Sequence, residues 1–166
     1  LRSTYPMEIL ELWHGPTAAC KDMALQIMPR LLSRALTKTG ETRNTMILVA
    51  TSGDTGKAAL EGYRDMGRMR ILVFYPSEGV SIVQKLQMAT QQGSNVQVCA
   101  IRGNFDDTQN GVKEILNSPE MTTRAKVRGT VLTSANSINW GRLVPQTVYY
   151  ISAYCDLINA GRIKPG

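Results

Sequence analysis

Short apolar runs alternate with segments of helical spacing along nearly the whole chain, and this alternation constrains the fold more than any other feature. The apolar runs, each bounded by turn residues, are TMILVA (45–50), RILVFY (70–75), NVQVCA (95–100) and TVLTSA (130–135). Continuous apolar runs of this length suit strands that are covered on both faces. Strands that alternate with helices through short loops imply βαβ units. We therefore predict an α/β fold with a doubly wound, mostly parallel sheet of about four strands flanked by helices.

The segments around these runs have the spacing of amphipathic helices. Helices are predicted over 21–38, 56–66, 81–92 and 143–160, with a further one that begins at Asn104. Pro29 is expected to kink or interrupt the first helix, whose apolar stripe is Ala24, Met28, Leu31 and Ala35. In the third helix Ile82, Leu86 and Ala89 are expected to face inward. The stretch 118–129 is polar and basic, and no element is predicted there.

The composition is that of a soluble globular domain of 166 residues. The formal net charge is +6, but the basic residues are scattered, which favours a solvated surface or a site for a phosphorylated small molecule over nucleic-acid binding. No apolar stretch is long enough to span a membrane. The cysteines Cys20, Cys99 and Cys155, together with the single His14, lack the spacing of a zinc site, so reduced thiols in the cytoplasm are expected.

The segment TSGDTG (51–56) follows the first apolar run and precedes a helix. Ligands of doubly wound sheets bind beyond the carboxyl ends of the strands. The N–H groups of a small-residue turn converge there at the positive end of the helix, which suits a carboxylate or a phosphate. The segment is not a P-loop, because the first glycine of that motif would fall at Thr51 and Ala58 replaces its hydroxyl residue. A purely structural tight turn is the alternative.

A second polar segment, SANSINWGR (134–142), follows the last apolar run. Arg142 offers a fork of donors to an oxyanion, and amides and hydroxyls such as those of Asn136 and Ser137 would complete the shell around it. A polar loop that caps the next helix explains the segment alone equally well.

The third segment, HGPTAACKD (14–22), carries a lysine where a helix is predicted to begin. The helix dipole opposes a cation there and favours the neutral amine if Lys21 is buried, and a neutral amine is what Schiff-base chemistry requires. On composition alone, a solvated lysine is the simpler interpretation. His14 is interpreted as a structural hydrogen-bonding group, since nothing brings it together with Cys20 as a catalytic pair.

Taken together and in this order, ELWHGPTAACKD, ILVATSGDTGKAA and SANSINWGRLVPQ resemble the motifs of threonine synthases of the fungal and bacterial branch. GVSIVQKLQMAT and VCAIRGNFDDTQ are similar to that family as well, so the resemblance covers nearly the whole chain. It implies part of the tryptophan-synthase-β-like fold (fold type II) of enzymes that use pyridoxal 5'-phosphate (PLP). It also implies a carbon–oxygen lyase of threonine biosynthesis that converts O-phospho-L-homoserine and water to L-threonine and phosphate.

The resemblance assigns roles to individual residues. Lys21 would be the catalytic residue and would bind PLP as a Schiff base, with Asp54 bordering the cofactor. The substrate carboxylate would be held by Ser52, Gly53, Asp54, Thr55 and Gly56. The substrate phosphate would be held by Asn136, Ser137 and Arg142. No metal is implied. Cys20 departs from the family, which more often has phenylalanine at this position.

The family has a domain-sized portion ahead of the HGPT segment and a glycine-rich loop for the cofactor phosphate beyond the position of Gly166. We therefore expect a partial chain that is inactive alone or binds PLP only weakly. Residues 1–40 and 131–166 would belong to the larger PLP lobe and residues 41–130 to the smaller α/β lobe. Helices 21–38 and 143–160 would expose apolar stripes and favour a homodimer. Two alternatives stay open: a phospho-lyase acting on a related phosphorylated amino acid, and a folded lobe without catalysis.

Overall fold

The structure is a computed structural model that describes residues 7–135 and 139–166. Strands and helices alternate along the chain as the sequence predicts. In chain order they are α1 (Asp22–Lys38), β1 (Asn44–Ala50), α2 (Asp54–Tyr63), β2 (Met69–Pro76), α3 (Ile82–Ala89), β3 (Val96–Ile101), α4 (Phe105–Asn117), α5 (Pro119–Val127), β4 (Thr130–Ser134) and α6 (Trp140–Asn159).

The four strands form one parallel sheet in the order β3-β2-β1-β4. The chain moves outward from β1 through β2 to β3 and then returns past β1 to add β4 on the other side. The predicted doubly wound parallel α/β fold is therefore confirmed. The direction of winding reverses between β1 and β4, and ligands of such sheets bind beyond the carboxyl ends of the strands at this reversal.

The better buried face of the sheet packs against α1 and α2. Its core is a cluster of apolar side chains from β1, β2 and these helices, including Ile47, Val73, Leu60, Tyr63 and Leu25. The opposite face is covered by α4 and α5 and is less well filled. A cavity of about 340 Å³ lies there between the sheet and the two helices, lined by apolar side chains such as Leu72, Phe74 and Met121.

Pro29 does not interrupt α1, which is continuous from Asp22 to Lys38. A proline at this position removes the N–H that would bond to the carbonyl of Leu25. Gly62 of α2 lies directly against that carbonyl, since a Cβ at Gly62 would be 1.9 Å from the Leu25 oxygen. The helix thus tolerates its proline where a neighbouring glycine approaches the freed carbonyl.

Two predicted apolar faces are wrong. In α1, Ala24 and Met28 are buried but Leu31 and Ala35 are exposed. Leu32 and Leu36 contact the core instead. In α3, Ile82, Leu86 and Ala89 are exposed, and Met88 is the buried residue. The reason is that α3 packs mainly against α2, and Met88 is its residue in the core cluster.

The polar stretch that follows α4 forms an additional helix, α5. Ser118 caps it by accepting a hydrogen bond from the Met121 N–H at 3.2 Å, and Pro119 occupies the first turn. A serine N-cap followed by proline is a recognised start of a helix. The signal was therefore present in the sequence, although no apolar stripe accompanied it.

Candidate active site

The loop before α1 is folded around the carboxylate of Asp22. This buried side chain accepts hydrogen bonds from the N–H groups of Thr17 (2.9 Å) and Ala19 (3.3 Å) and from the Thr17 hydroxyl. Gly15 packs against the same carboxylate, because a Cβ there would lie 2.4 Å from its Oδ2. This arrangement fixes residues 15–19 and sets Lys21 at the N-cap of α1.

The turn between β1 and α2 is organised by the buried Thr51. Its Oγ1 accepts hydrogen bonds from the N–H groups of Gly53 (3.0 Å) and Gly56 (2.9 Å). The Asp54 carboxylate accepts from the Thr55 N–H at 2.7 Å. The sequence predicts that the N–H groups of this turn bind an anion, but those of Gly53, Thr55 and Gly56 already donate hydrogen bonds inside the turn. Among the described residues, none accepts from the N–H of Ser52 or Asp54, so these two remain available.

Gly53 has a backbone conformation that favours glycine, with φ of 153°. The side chain of Gln84 in α3 lies against it, because a Cβ at Gly53 would be 2.4 Å from the Gln84 amide. A side chain at this position would therefore have to displace the Gln84 side chain from the turn.

An ion pair joins the two turns. Lys21 Nζ lies 2.7 Å from Asp54 Oδ2, and the side chains are 28% and 44% exposed. Burial alone would raise the pKa of the Asp54 carboxyl, but the hydrogen bond and the charge of Lys21 hold this pKa below its usual value. Lys21 is thus engaged in a pair and is not an isolated amine.

Arg142 is a buried cation in the first turn of α6. Asn139 caps this helix by accepting from the Gly141 N–H at 2.8 Å. Arg142 is 5% exposed and donates from Nη1 to the carbonyl of Ala135 at 3.0 Å. Within the described part of the chain its Nε has no hydrogen-bond partner. Burial lowers the pKa of Arg142, and the nearby Asp54 opposes this effect. A desolvated guanidinium with a free donor suits an anion.

The predicted phosphate ligands Asn136 and Ser137 lie outside the described residues. Their contribution to the site stays a prediction.

Lys21 and Arg142 line the same cavity of about 410 Å³. The cavity lies where the direction of winding reverses between β1 and β4, which is the switch point of the sheet. Its remaining residues are Val49, Ala50, Thr55, Ser134, Ala135, Phe105, Gln109, Val112, Lys113 and Leu116. The last five come from α4, which the sequence analysis did not connect with the site. The available signal was their helical spacing, which places all five on one face of α4.

Comparisons with known proteins agree with this geometry. No protein-family profile matches the chain. The chain is 46% identical over 149 residues to a threonine synthase of Pseudomonas aeruginosa, covering 90% of this chain and 30% of the relative. It superposes on the PLP-bound threonine synthase of Brucella melitensis with a TM-score of 0.77 and 44% identity, covering 90% of this chain and 31% of that one.

The chain is homologous to part of threonine synthase. It is also 45% identical over 164 residues to the human threonine synthase-like 1, of which it covers 22%. The resemblance found in the motifs is therefore confirmed, and the chain spans less than a third of the length of these relatives.

The described residues contain neither a membrane-spanning helix nor a cluster of metal-ligating side chains. No helix in these ranges is long and apolar enough to cross a membrane. Residues 7–135 and 139–166 contain no group of three or more histidine, cysteine, aspartate or glutamate side chains that could hold a metal ion.

Proposed function

We propose that this chain carries the lysine and the phosphate-binding arginine of a PLP-dependent threonine synthase, which converts O-phospho-L-homoserine and water to L-threonine and phosphate. The observation that carries the proposal is that Lys21 and Arg142 line one cavity at the switch point of the sheet. These residues come from motifs that are more than one hundred positions apart, and the fold brings them together at the place where such sheets bind ligands.

The residues present fit PLP. The cavity of about 410 Å³ is within the range of small-molecule sites. Lys21 supplies the amine for covalent attachment, and Asp54 is placed 2.7 Å from that amine. When bound, PLP supplies an electron sink for negative charge that develops next to the amino carbon of the substrate.

The protein side chains would position the substrate and move its protons. Lys21 would take and return protons at the Cα and Cβ atoms. The N–H groups of Ser52 and Asp54, at the positive end of α2, would bind the substrate carboxylate. Arg142, whose Nε is unused among the described residues, would bind the phosphate at the other end of the substrate. Fixing both charged ends orients the carbon chain between them.

Covalent capture of PLP tests the role of Lys21. The purified chain is mixed with less than one equivalent of PLP, reduced with borohydride, digested and analysed by mass spectrometry. We expect the cofactor on the peptide that contains Lys21, and we expect O-phospho-L-homoserine to compete with this labelling.

Two variants separate the site from ordinary surface lysines. Lys21→Ala removes the proposed attachment point, and Lys38→Ala removes an exposed lysine at the end of the same helix. Labelling that persists in the first variant, or that is spread evenly over the surface lysines of the native chain, would refute the proposed cofactor site.

A phospho-lyase acting on a related phosphorylated amino acid is the second candidate. The chain is about equally similar to threonine synthase-like 1 and to threonine synthase, so its similarity does not single out threonine synthase. Both activities would use Lys21 and Arg142, so the products decide between them. Threonine identifies the first activity, whereas a keto acid with ammonia and phosphate identifies the second.

The proposed function also assigns parts of the chain to the two lobes of the enzyme. Residues 41–130 would form the smaller lobe, which is consistent with three of the four strands lying within this range. Residues 1–40 and 131–166 would belong to the larger lobe, which is consistent with the packing of α1 against α6. The free thiols of Cys20, Cys99 and Cys155 support a cytoplasmic location.

A further inference from the structure

The α4 wall of the cavity carries polar side chains that have no role in the function proposed above. Gln109 and Lys113 are one helical turn apart and therefore lie on the same face of α4. Phe105, Val112 and Leu116 provide the apolar part of this wall. Residues four apart on a helix can contact one ligand together, so the wall offers an ammonium and an amide to whatever the cavity binds.

Among the described residues, the side chains that line the cavity carry positive charge and no negative charge. Three cations line it, Lys21, Lys113 and Arg142. The charge of Lys21 is balanced by the Asp54 carboxylate, whose Oδ2 lies 2.7 Å from Lys21 Nζ. Lys113 forms no salt bridge with any residue that the structure describes. The cavity therefore presents the unpaired charge of Lys113 together with a buried guanidinium whose Nε is free among the described residues.

We infer that Lys113, assisted by Gln109, is a second residue for the phosphate group of the substrate. The inference rests on the proposed function and specifies how its phosphate is bound. A phosphate monoester carries a charge of about −1.5 to −2 at pH 7, which one guanidinium does not balance. Two cations from different elements, Arg142 of α6 and Lys113 of α4, would balance it.

The two cations differ in what they can contribute. Arg142 is buried and anchored to the Ala135 carbonyl, so its planar donors fix the orientation of the phosphate. Lys113 is exposed and has a flexible stem, so it acts as a mobile point charge. Lys113 should therefore increase affinity for a phosphorylated ligand, and this effect should weaken as salt screens the exposed charge.

Titration calorimetry with inorganic phosphate and with O-phospho-L-homoserine tests this inference in the full chain. We expect Lys113→Ala to weaken both affinities roughly fivefold at low salt, the size of a favourable exposed ion pair. Lys113→Arg should preserve them, and Lys113→Glu should weaken them further. Lys126→Ala, which removes an exposed lysine from α5 outside the cavity, is the control and should leave both unchanged.

Two further measurements separate this inference from the proposed function. Homoserine, which lacks the phosphate, should bind equally to the native chain and to Lys113→Ala. Labelling of Lys21 by PLP should be unchanged in Lys113→Ala, whereas failure of labelling in the native chain would refute the proposed function. The inference on Lys113 is overturned if Lys113→Ala binds phosphate as Lys126→Ala does, or if the native chain binds no phosphate.

Discussion

Asp54 connects the two turns that border the cavity, and its ionisation is set by two opposing influences. Its carboxylate accepts from Lys21 Nζ at 2.7 Å and from the Thr55 N–H at 2.7 Å. Partial burial disfavours the charged form, whereas these donors favour it. The net result is a lowered pKa. A carboxylate that stays charged in acid keeps Lys21 positioned at the wall of the cavity.

We predict that the pKa of Asp54 lies below 3.8, its ordinary value, and that Lys21→Ala raises it. The reason is that the variant removes the hydrogen bond and the positive charge but leaves the burial. Because the folded-state pKa is depressed, the stabilisation is present above the unfolded-state pKa and is lost as the pH falls through the folded-state pKa. Carbon-13 NMR titration of the carboxyl group measures both values.

Lys57→Ala is the control for this titration. Lys57 also lies in α2, but it pairs with Glu61 at 3.7 Å and not with Asp54. The variant should leave the Asp54 pKa unchanged. If both variants shifted the pKa equally, the effect would come from the general charge of the chain and not from the Lys21 contact.

The sequence motifs point to Lys21 and Arg142 as candidate site residues but not to the side chains around them. Lys21 and Arg142 were selected because their motifs resemble a known family, and the structure places both at one cavity. The role of Thr51 was missed, because a hydroxyl that accepts from N–H groups two and five residues further along the chain depends on the closed geometry of the turn. The α4 residues were missed because α4 belongs to the connection between β3 and β4, and only the path of this connection in the fold brings α4 to the cavity.

The contact between α1 and α2 depends on a matched proline and glycine. Pro29 leaves the Leu25 carbonyl without its helical donor, and Gly62 fills the space against that carbonyl. No larger residue fits at position 62 without moving one of the helices. Since Lys21 begins α1 and Asp54 begins α2, a shift of either helix would also change their ion pair.

We predict that Gly62→Ala destabilises the chain by about 1–3 kcal/mol, the usual cost of overpacking. The added Cβ would lie 1.9 Å from the Leu25 oxygen, which is backbone and can move only with its helix. Urea unfolding measures the change. PLP labelling of Lys21 in the same variant reports whether the helix shift reaches the site.

Gly111→Ala is the matched control for this prediction. Gly111 is also helical, but a Cβ there meets nothing within 4 Å. Alanine should therefore stabilise α4 by about 0.5–1 kcal/mol. The explanation for Gly62 would be wrong if the two variants changed the free energy of unfolding in the same direction.

Element types were easier to predict than the faces that they bury. The strands were predicted because parallel strands covered on both sides are continuously apolar. The inward face of α3 was predicted wrongly, since the apolar side chains of Ile82 and Leu86 face away from the core. An apolar helical stripe indicates a contact surface, but the sequence does not distinguish a surface buried inside the chain from one that stays exposed.

Exposed apolar side chains are most numerous on α6, and others lie on α1 and α3. On α1 they include Ile27 and Leu31, and on α6 they include Val144, Val148 and Ile151. Apolar surface of this extent marks a site of protein contact in most folded chains. The sequence predicts exposed apolar stripes on the helices over 21–38 and 143–160, and both helices carry exposed apolar side chains. We propose that two copies of the chain associate through them.

We predict that Ile151→Lys weakens self-association of the chain. Ile151 is 62% exposed on α6, so a lysine there introduces charge into the proposed contact without entering the core. If the proposal is correct, sedimentation velocity over a dilution series should show that the native chain dissociates at a lower concentration than the variant does.

The matched control is Val127→Lys, which places the same charge at an apolar residue of α5 that is 84% exposed. Equal weakening by both variants would point to a nonspecific effect of net charge, and an unchanged native-like profile for Ile151→Lys would contradict association through α6.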